Sequence, residues 1–324
     1  MHKYNDSTTN LLDKYPRADL LQTPVIIHKL PRLSSHLGLN IFILRDDLTG
    51  FALGGNKTRK LDYLIGDALV HKADTLVTMK ATSFSRNAAA AASACGLALH
   101  VVIAGTESEQ NPASQAFFNQ CGTTLHYEPQ GESVLADACS HLVDSLKKQG
   151  KSVYELHPGG SDAIGALGYV RAFHEILDFS YRSGVHFSHI IHSTSSAGTQ
   201  AGLVLGQCIS TYDTCIIGVG ASLKADAQSE RVRELARSTA RMLGIQFDET
   251  KIVVDDKFVG PGYATPSEEG RTAVKRFAAM EGILLDQVYT GKAAAALLHF
   301  ATHGTLEGGS VLFIHTGGNA GLFY

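Results

Sequence analysis

The chain of 324 residues lacks most features that would commit it to a special class. Its five cysteines, Cys95, Cys121, Cys139, Cys208 and Cys215, are scattered and form no CxxC pair. That spacing argues against a zinc site and a disulfide framework. It makes each thiol a small apolar group and a reducing cytoplasm the default compartment. No apolar run reaches transmembrane length, and the alanine run from Ala88 to Ala92 is far too short. The first residues, Met1-His2-Lys3-Tyr4-Asn5-Asp6, lack the apolar core of a signal peptide. Long blocks of one charge are absent and the net charge is only -3, so neither nucleic acid nor an anionic membrane is the expected partner. There is no internal repeat, no low-complexity tract, no Walker lysine and no GxGxxG, which argues against the usual nucleotide cradles.

What is present is a chain that is 44% hydrophobic, long enough for two domains with substantial cores. Apolar, β-branched runs alternate with helical patterns. Strands are expected at 40–44, 75–78, 98–103, 188–192, 214–219 and 310–315, and helices at 61–69, 88–94, 201–207 and 226–243. This alternation predicts an α/β fold with parallel sheets covered on both faces. The stretches 107–113 and 146–151 read as polar surface connections, and Pro158-Gly159-Gly160 as a change of domain.

Five segments carry chemistry. In Gly54-Gly55-Asn56-Lys57-Thr58-Arg59-Lys60-Leu61 a lysine follows two glycines at a helix start near Thr58. The helix dipole and partial desolvation would lower its pKa and favour the neutral amine needed for imine formation. On its own the segment reads equally well as a solvated basic helix start. Ser193-Thr194-Ser195-Ser196-Ala197-Gly198-Thr199 joins a strand to a helix through small hydroxyl residues. Such a turn can cradle phosphate on backbone N–H groups, or can simply cap a helix. Tyr263, in a Gly-Pro loop, and Tyr289, before an alanine-rich helix, each present a phenol that can move a proton or merely pack. His315-Thr316-Gly317-Gly318 places a hydroxyl and two glycines after an apolar strand, where backbone can approach a flat ring. Together these segments suggest a pyridoxal-phosphate (PLP) enzyme.

Taken in order, Arg45-Asp46-Asp47, the Gly54–Leu61 run, Gly198-Thr199-Gln200-Ala201-Gly202, Gly262-Tyr263, Val288-Tyr289-Thr290-Gly291-Lys292 and His315-Thr316-Gly317-Gly318 resemble the D-cysteine desulfhydrase and 1-aminocyclopropane-1-carboxylate deaminase family. The resemblance runs from about Pro24 to Tyr324. It implies a tryptophan-synthase-β-like fold of two three-layer domains, with pyridoxal 5'-phosphate between them. Residues 1–51 and 161–324 would form the larger, cofactor-binding domain and 52–160 the substrate-side domain. It also implies a homodimer. Lys57 would be the Schiff-base lysine, with Asn56 beside the cofactor. Ser195, Ser196, Ala197, Gly198 and Thr199 would hold the phosphate, and Thr316 the pyridine nitrogen. Tyr289 and Tyr263 would be catalytic tyrosines. Thr290 stands where the deaminases carry a glutamate, which favours the desulfhydrase branch.

The chain departs from the family after the strand at 75–78. A Gln-Ser-Asn-His or Gln-Ser-Asn-Gln loop, which binds the substrate carboxylate and caps the ring, is replaced by Met79-Lys80-Ala81-Thr82-Ser83-Phe84-Ser85-Arg86-Asn87. Counting back from Gly96 puts Thr82 and Ser83 in the Ser-Asn places; matching by residue type puts Ser85 and Asn87 there. Thr82 and Ser83 are taken as catalytic. Thr82, Ser83, Phe84, Ser85, Arg86 and Asn87 are taken as substrate-binding, with Lys80, Phe84 and Arg86 new near the substrate. The resemblance implies a PLP-dependent lyase on a small amino acid, by default D-cysteine converted to pyruvate, sulfide and ammonia. The altered loop keeps open deamination, β-replacement or racemisation of another amino acid, or a PLP-binding protein without efficient catalysis.

Overall fold

The structure, a computed structural model, describes residues 11–22, 24–129, 131–210, 212–306 and 308–322. The strands of its larger sheet are β1 (Ile27–Lys29), β2 (Ile41–Arg45), β7 (Phe187–Thr194), β8 (Cys215–Gly220), β9 (Val253–Asp255) and β10 (Ser310–His315), in the order β1-β2-β10-β7-β8-β9. Only β1 is antiparallel to its neighbour. A second, fully parallel sheet has the order β5-β4-β3-β6, from β3 (Thr75–Met79), β4 (Ala98–Ala104), β5 (Thr124–Glu128) and β6 (Val153–Glu155).

The helices, in chain order, are α1 (Pro31–Leu37), α2 (Asn56–Val70), α3 (Ser83–Ala94), α4 (Pro112–Gln120), α5 (Glu132–Lys148), α6 (Ala163–Ser183), α7 (Gly198–Ser210), α8 (Ala225–Leu243), α9 (Glu268–Glu281) and α10 (Thr290–Thr302). They cover both faces of each sheet. Along β10, Val311 and Phe313 join the core under α1, α9 and α10, while Leu312 and Ile314 join the core under α6 and α7. A strand buried on both sides favours apolar residues on both faces, which is why Val311 to Ile314 read as an unbroken run rather than an alternation. In the smaller sheet Leu76 packs under α2 and α3, and Val77 under α5.

Several expectations change. The stretch 146–151 is not all surface connection: α5 runs to Lys148, and Leu146 is buried against Val77. The connection 107–113 holds a short 3-10 turn, and Asn111 caps α4 from Pro112. Short strands β1, β5, β6 and β9 were not expected. The helix expected at 88–94 begins five residues earlier, at Ser83, because Thr82 takes the extended N-cap conformation and its N–H donates to Ser85 Oγ at 2.8 Å. Much of the segment read as a substrate loop is therefore helix.

Candidate active site

Most of the chemistry-bearing segments leave the carboxyl ends of parallel strands, the Tyr289 segment instead following α9. β2 leads to the Lys57 turn, β3 to Thr82, β6 to Gly159, β7 to Ser195 and β10 to Thr316. Ligand crevices of parallel sheets form at these ends, because each strand there gives way to a loop or a helix N-terminus.

The turn before α2 depends on glycine. Gly55 has φ +91°, and a Cβ there would lie 3.0 Å from the Thr316 carbonyl oxygen. A Cβ on Gly317 would lie 2.6 Å from Gly55 Cα. The two glycine turns thus pass in contact, and Asn56 N donates to Thr316 O at 2.9 Å. α2 is anchored from behind by Arg59, whose buried guanidinium bridges Asp46 at 2.7 Å and Glu175 at 2.7 Å; Tyr169 also donates to Asp46. Asn87 Nδ2 donates to Gly54 O at 2.8 Å and so ties the same turn to α3.

This frame aims Lys57, the second residue of α2, into the crevice. Its Nζ donates to Gly159 O at 3.2 Å and Ser196 Oγ at 3.3 Å. Burial pulls its pKa from 10.5 down to about 8. Lys60, one turn on, is fully buried and donates to the same Gly159 carbonyl at 3.1 Å and to Ser161 Oγ at 3.2 Å. Its pKa is lowered, first by burial and then by the Lys57 charge. Ser161 Oγ in turn donates to Ser196 Oγ at 2.8 Å.

The turn from β7 into α7 wraps this pair. Ser195 and Ser196 are half-buried; Ala197, at φ +72°, Gly198 and Thr199 are buried. A Cβ on Gly198 would sit 2.8 Å from Lys60 Nζ and 3.1 Å from Ser161 Oγ. The helix N-terminus therefore opens on the Lys57 and Lys60 amines and the Ser161 and Ser196 hydroxyls, a suitable environment for a dianion. Asn56 Nδ2 donates to Thr199 Oγ1 at 3.0 Å, linking this turn to the Lys57 turn. On the sheet side, Thr316 Oγ1 is 3.1 Å from Ser193 Oγ, and both are buried.

The two tyrosines meet: their hydroxyls are 2.6 Å apart. Tyr263 is 54% exposed, while Tyr289 is half-buried at the N-cap of α10. Burial, followed by the neighbouring Tyr263, pushes the Tyr289 phenol well above its ordinary range, so it stays protonated. The Arg86 charge acts on Tyr289 in the opposite sense.

The residues from Thr82 to Asn87 divide. Thr82, Ser83 and Arg86 are half-buried, and Arg86 Nη1 donates to Ser114 Oγ at 3.0 Å. Phe84, Ser85 and Asn87 turn inward. Phe84 is 1% exposed and belongs to the core beneath α2 and α3. Ser85 Oγ donates to Lys80 O at 2.7 Å, and Asn87 serves Gly54. Phe84, taken as substrate-binding, lies in this core with its ring beside Gly160: an apolar ring at the second position of a helix is better buried than exposed to water. Sequence reasoning missed Gly159, Lys60, Ser161 and Ser193. Gly159, Lys60 and Ser193 stood in runs already noted for glycine, basic and small hydroxyl residues, whereas nothing local singled out Ser161.

Known proteins resemble this chain along nearly its whole length. Residues 18–317 match the family model described as pyridoxal-phosphate dependent enzyme. A D-cysteine desulfhydrase of Serratia proteamaculans is 40% identical, covering 96% of each chain. A Pyrococcus furiosus protein provisionally named a 1-aminocyclopropane-1-carboxylate deaminase is 36% identical, covering 97% of this chain and 95% of that one. The crystal structure of an ACC deaminase homologue superposes with a TM-score of 0.88 at 34% identity, covering 98% of this chain and 95% of that one. With matches of this length and identity, the chain belongs to the pyridoxal-phosphate dependent enzymes, with PLP as its cofactor and lyase or deaminase chemistry as its activity.

Proposed function

We propose that this protein eliminates sulfide from D-cysteine, yielding pyruvate, sulfide and ammonia, with Lys57 as covalent anchor and base. The observation that carries the proposal is the Lys57 ammonium, with a pKa of about 8, set between the Ser196 turn and Gly159. PLP fits the residues around it. The Gly198 position, where a Cβ would fill the space beside Lys60, lets an anion approach the α7 N-terminus. Ser196, Lys60 and the backbone of Ala197, Gly198 and Thr199 would hold the phosphate, and Thr316 the pyridine nitrogen. PLP supplies an aldehyde that condenses with amines and a ring that draws electrons from the substrate α-carbon.

The chain supplies the rest. A lysine with a pKa near 8 is neutral often enough near pH 7.5 to condense with an aldehyde and, once displaced, to take a proton from the α-carbon. The protonated Tyr289 phenol, hydrogen-bonded to the Tyr263 hydroxyl, has a proton to give to a leaving sulfur, and the exposed Tyr263 connects it to water. Thr82, Ser83 and Arg86 line the α3 side, where an α-carboxylate would find hydroxyls, helix N–H groups and a guanidinium. Thr290 is wholly buried with its hydroxyl donated to Asp286 Oδ1 at 2.6 Å, so no carboxylate projects from that position. That supports elimination over the deaminase reaction.

The reading of a different substrate drew on an altered loop, and with Phe84 in the core that loop changes the crevice less than its sequence implies. Relatives named D-cysteine desulfhydrase at 38% and 40% identity point the same way. A substrate-side unit of residues 52–160, a homodimer and a cytoplasmic setting belong to the same proposal. Among the described residues, no helix is long and apolar enough to cross a membrane. The test is release of pyruvate and sulfide by purified holoenzyme from each enantiomer of cysteine, beside keto-acid release from 1-aminocyclopropane-1-carboxylate. D-Cysteine should be turned over best; faster turnover of either other substrate overturns the assignment.

A further inference from the structure

Lys292 is a buried cation that the chemistry above leaves unused. Its side chain has no accessible surface, and its Nζ donates to two backbone carbonyls, Gly262 O at 2.9 Å and Ala221 O at 3.1 Å. It is the third residue of α10, at the positive end of the helix dipole, where a cation is disfavoured. Burial lowers its pKa, and the charge of Asp286 works against that loss. A lysine in so unfavourable a place calls for an explanation in what it joins.

The two carbonyls belong to two separate segments, one after β8 and one after β9. Ala221 follows β8, and its N–H donates to Thr194 O at 3.0 Å, just before the Ser195 turn. Gly262 immediately precedes Tyr263. The segment 259–266 is mostly exposed between the buried anchors Phe258 and Ser267. Its bonds Val259 N to Asp256 O at 3.3 Å and Thr265 N to Gly262 O at 3.4 Å are local and long. The Lys292 bond and the Tyr263–Tyr289 hydroxyl contact are what tie it to α10. α10 thus carries one tyrosine at its N-cap and holds the other through its third residue.

We infer that Lys292 is a positioning residue for catalysis: it fixes the Tyr263 loop against the strand end beside the Ser195–Thr199 turn and so sets the Tyr263–Tyr289 pair over the site. The inference rests on the proposed role of the two tyrosines but not on which amino acid is the substrate. Lys292→Met keeps the length and apolar stem while removing the donors. In holoenzyme it should leave the visible cofactor spectrum in place and lower kcat about 10-fold, a modest loss for a misplaced proton donor. In a Tyr263→Phe background the same substitution should change kcat less than about 2-fold, because residues acting through one group are non-additive. Equal losses in both backgrounds, or an unchanged kcat in the first, overturn the inference.

Hydrogen exchange supplies a readout that needs no turnover. Amides of 259–266 should exchange faster in Lys292→Met and in Lys292→Gln than in the parent, with β10 amides unchanged. Unchanged exchange in that segment, or failure of both variants to fold, makes Lys292 structural and ends the assignment. The kinetic cycle is run with whichever amino acid the parent turns over, so a wrong substrate assignment and a wrong role for Lys292 give different results.

Discussion

The lowered pKa of Lys57 predicts how fast, and at what pH, the apoprotein takes up its cofactor. Condensation needs the free amine. For a lysine at 10.5 the neutral fraction at pH 7 is about 0.03%, and for one at about 8 it is about 10%, a gain of roughly a few hundred-fold. The cause is desolvation: Nζ has exchanged water for one carbonyl and one hydroxyl. The sign follows directly. Protonated Lys57 is unreactive, so uptake should rise with pH and level off above about 8 instead of climbing beyond 10. The assay is stopped-flow absorbance of apoprotein mixed with PLP between pH 6 and 10. Lys60 is also shifted downward, so the measurement is repeated on Lys57→Ala and Lys60→Ala. Borohydride trapping and peptide mapping should label Lys57. A rate still rising log-linearly at pH 10, or label on Lys60 or Lys80, would refute the reasoning.

Three further outcomes are expected. Gly198→Val should raise the PLP dissociation constant at least about tenfold, measured by equilibrium dialysis, because its Cβ would press on Lys60 Nζ and Ser161 Oγ; retention equal to the parent would place the phosphate elsewhere. Tyr289→Phe should keep the cofactor spectrum and lose about 10²-fold in turnover, the scale of a positioned acid–base group; an unchanged kcat would leave the hydroxyl with a packing role only. Asp286→Ala should cost about 2–4 kcal/mol in denaturant unfolding, since the buried carboxylate accepts from Val288 N, Tyr289 N, Thr290 N and Thr290 Oγ1 at the start of α10; a loss below about 0.5 kcal/mol would show that water replaces the cap.

Much of the architecture is legible in the chain because buried parallel strands leave a plain signal. β10 and β8 hold runs of apolar and β-branched residues that no surface segment would carry, and β7 is built around the buried pair Ile190-Ile191. β5, with its half-buried Thr124-Leu125-His126-Tyr127-Glu128, and the three-residue strands β1, β6 and β9 carry too weak a pattern. In α5, Ser, His, Asp and Lys dilute the apolar stripe, and Leu135, Val143 and Leu146 are the described residues that reach the core.

The candidate site divides in the same way. The amino-acid sequence by itself determined that Lys57 follows a glycine turn into a helix, that a small-residue turn follows β7, and that two tyrosines and Thr316 stand in loops. Each is a local pattern of spacing and backbone freedom. Only the tertiary structure decided which of these groups meet. It set Lys57 and Lys60 on one carbonyl, brought Tyr263 and Tyr289 together across 26 residues, and placed Ser193 against Thr316. It also turned Phe84, Ser85 and Asn87 inward, because a helix starting at Ser83 gives each residue one face, and the neighbouring sheet determines which face is buried. Contacts between distant segments depend on how whole elements pack, and no short stretch of sequence records that packing.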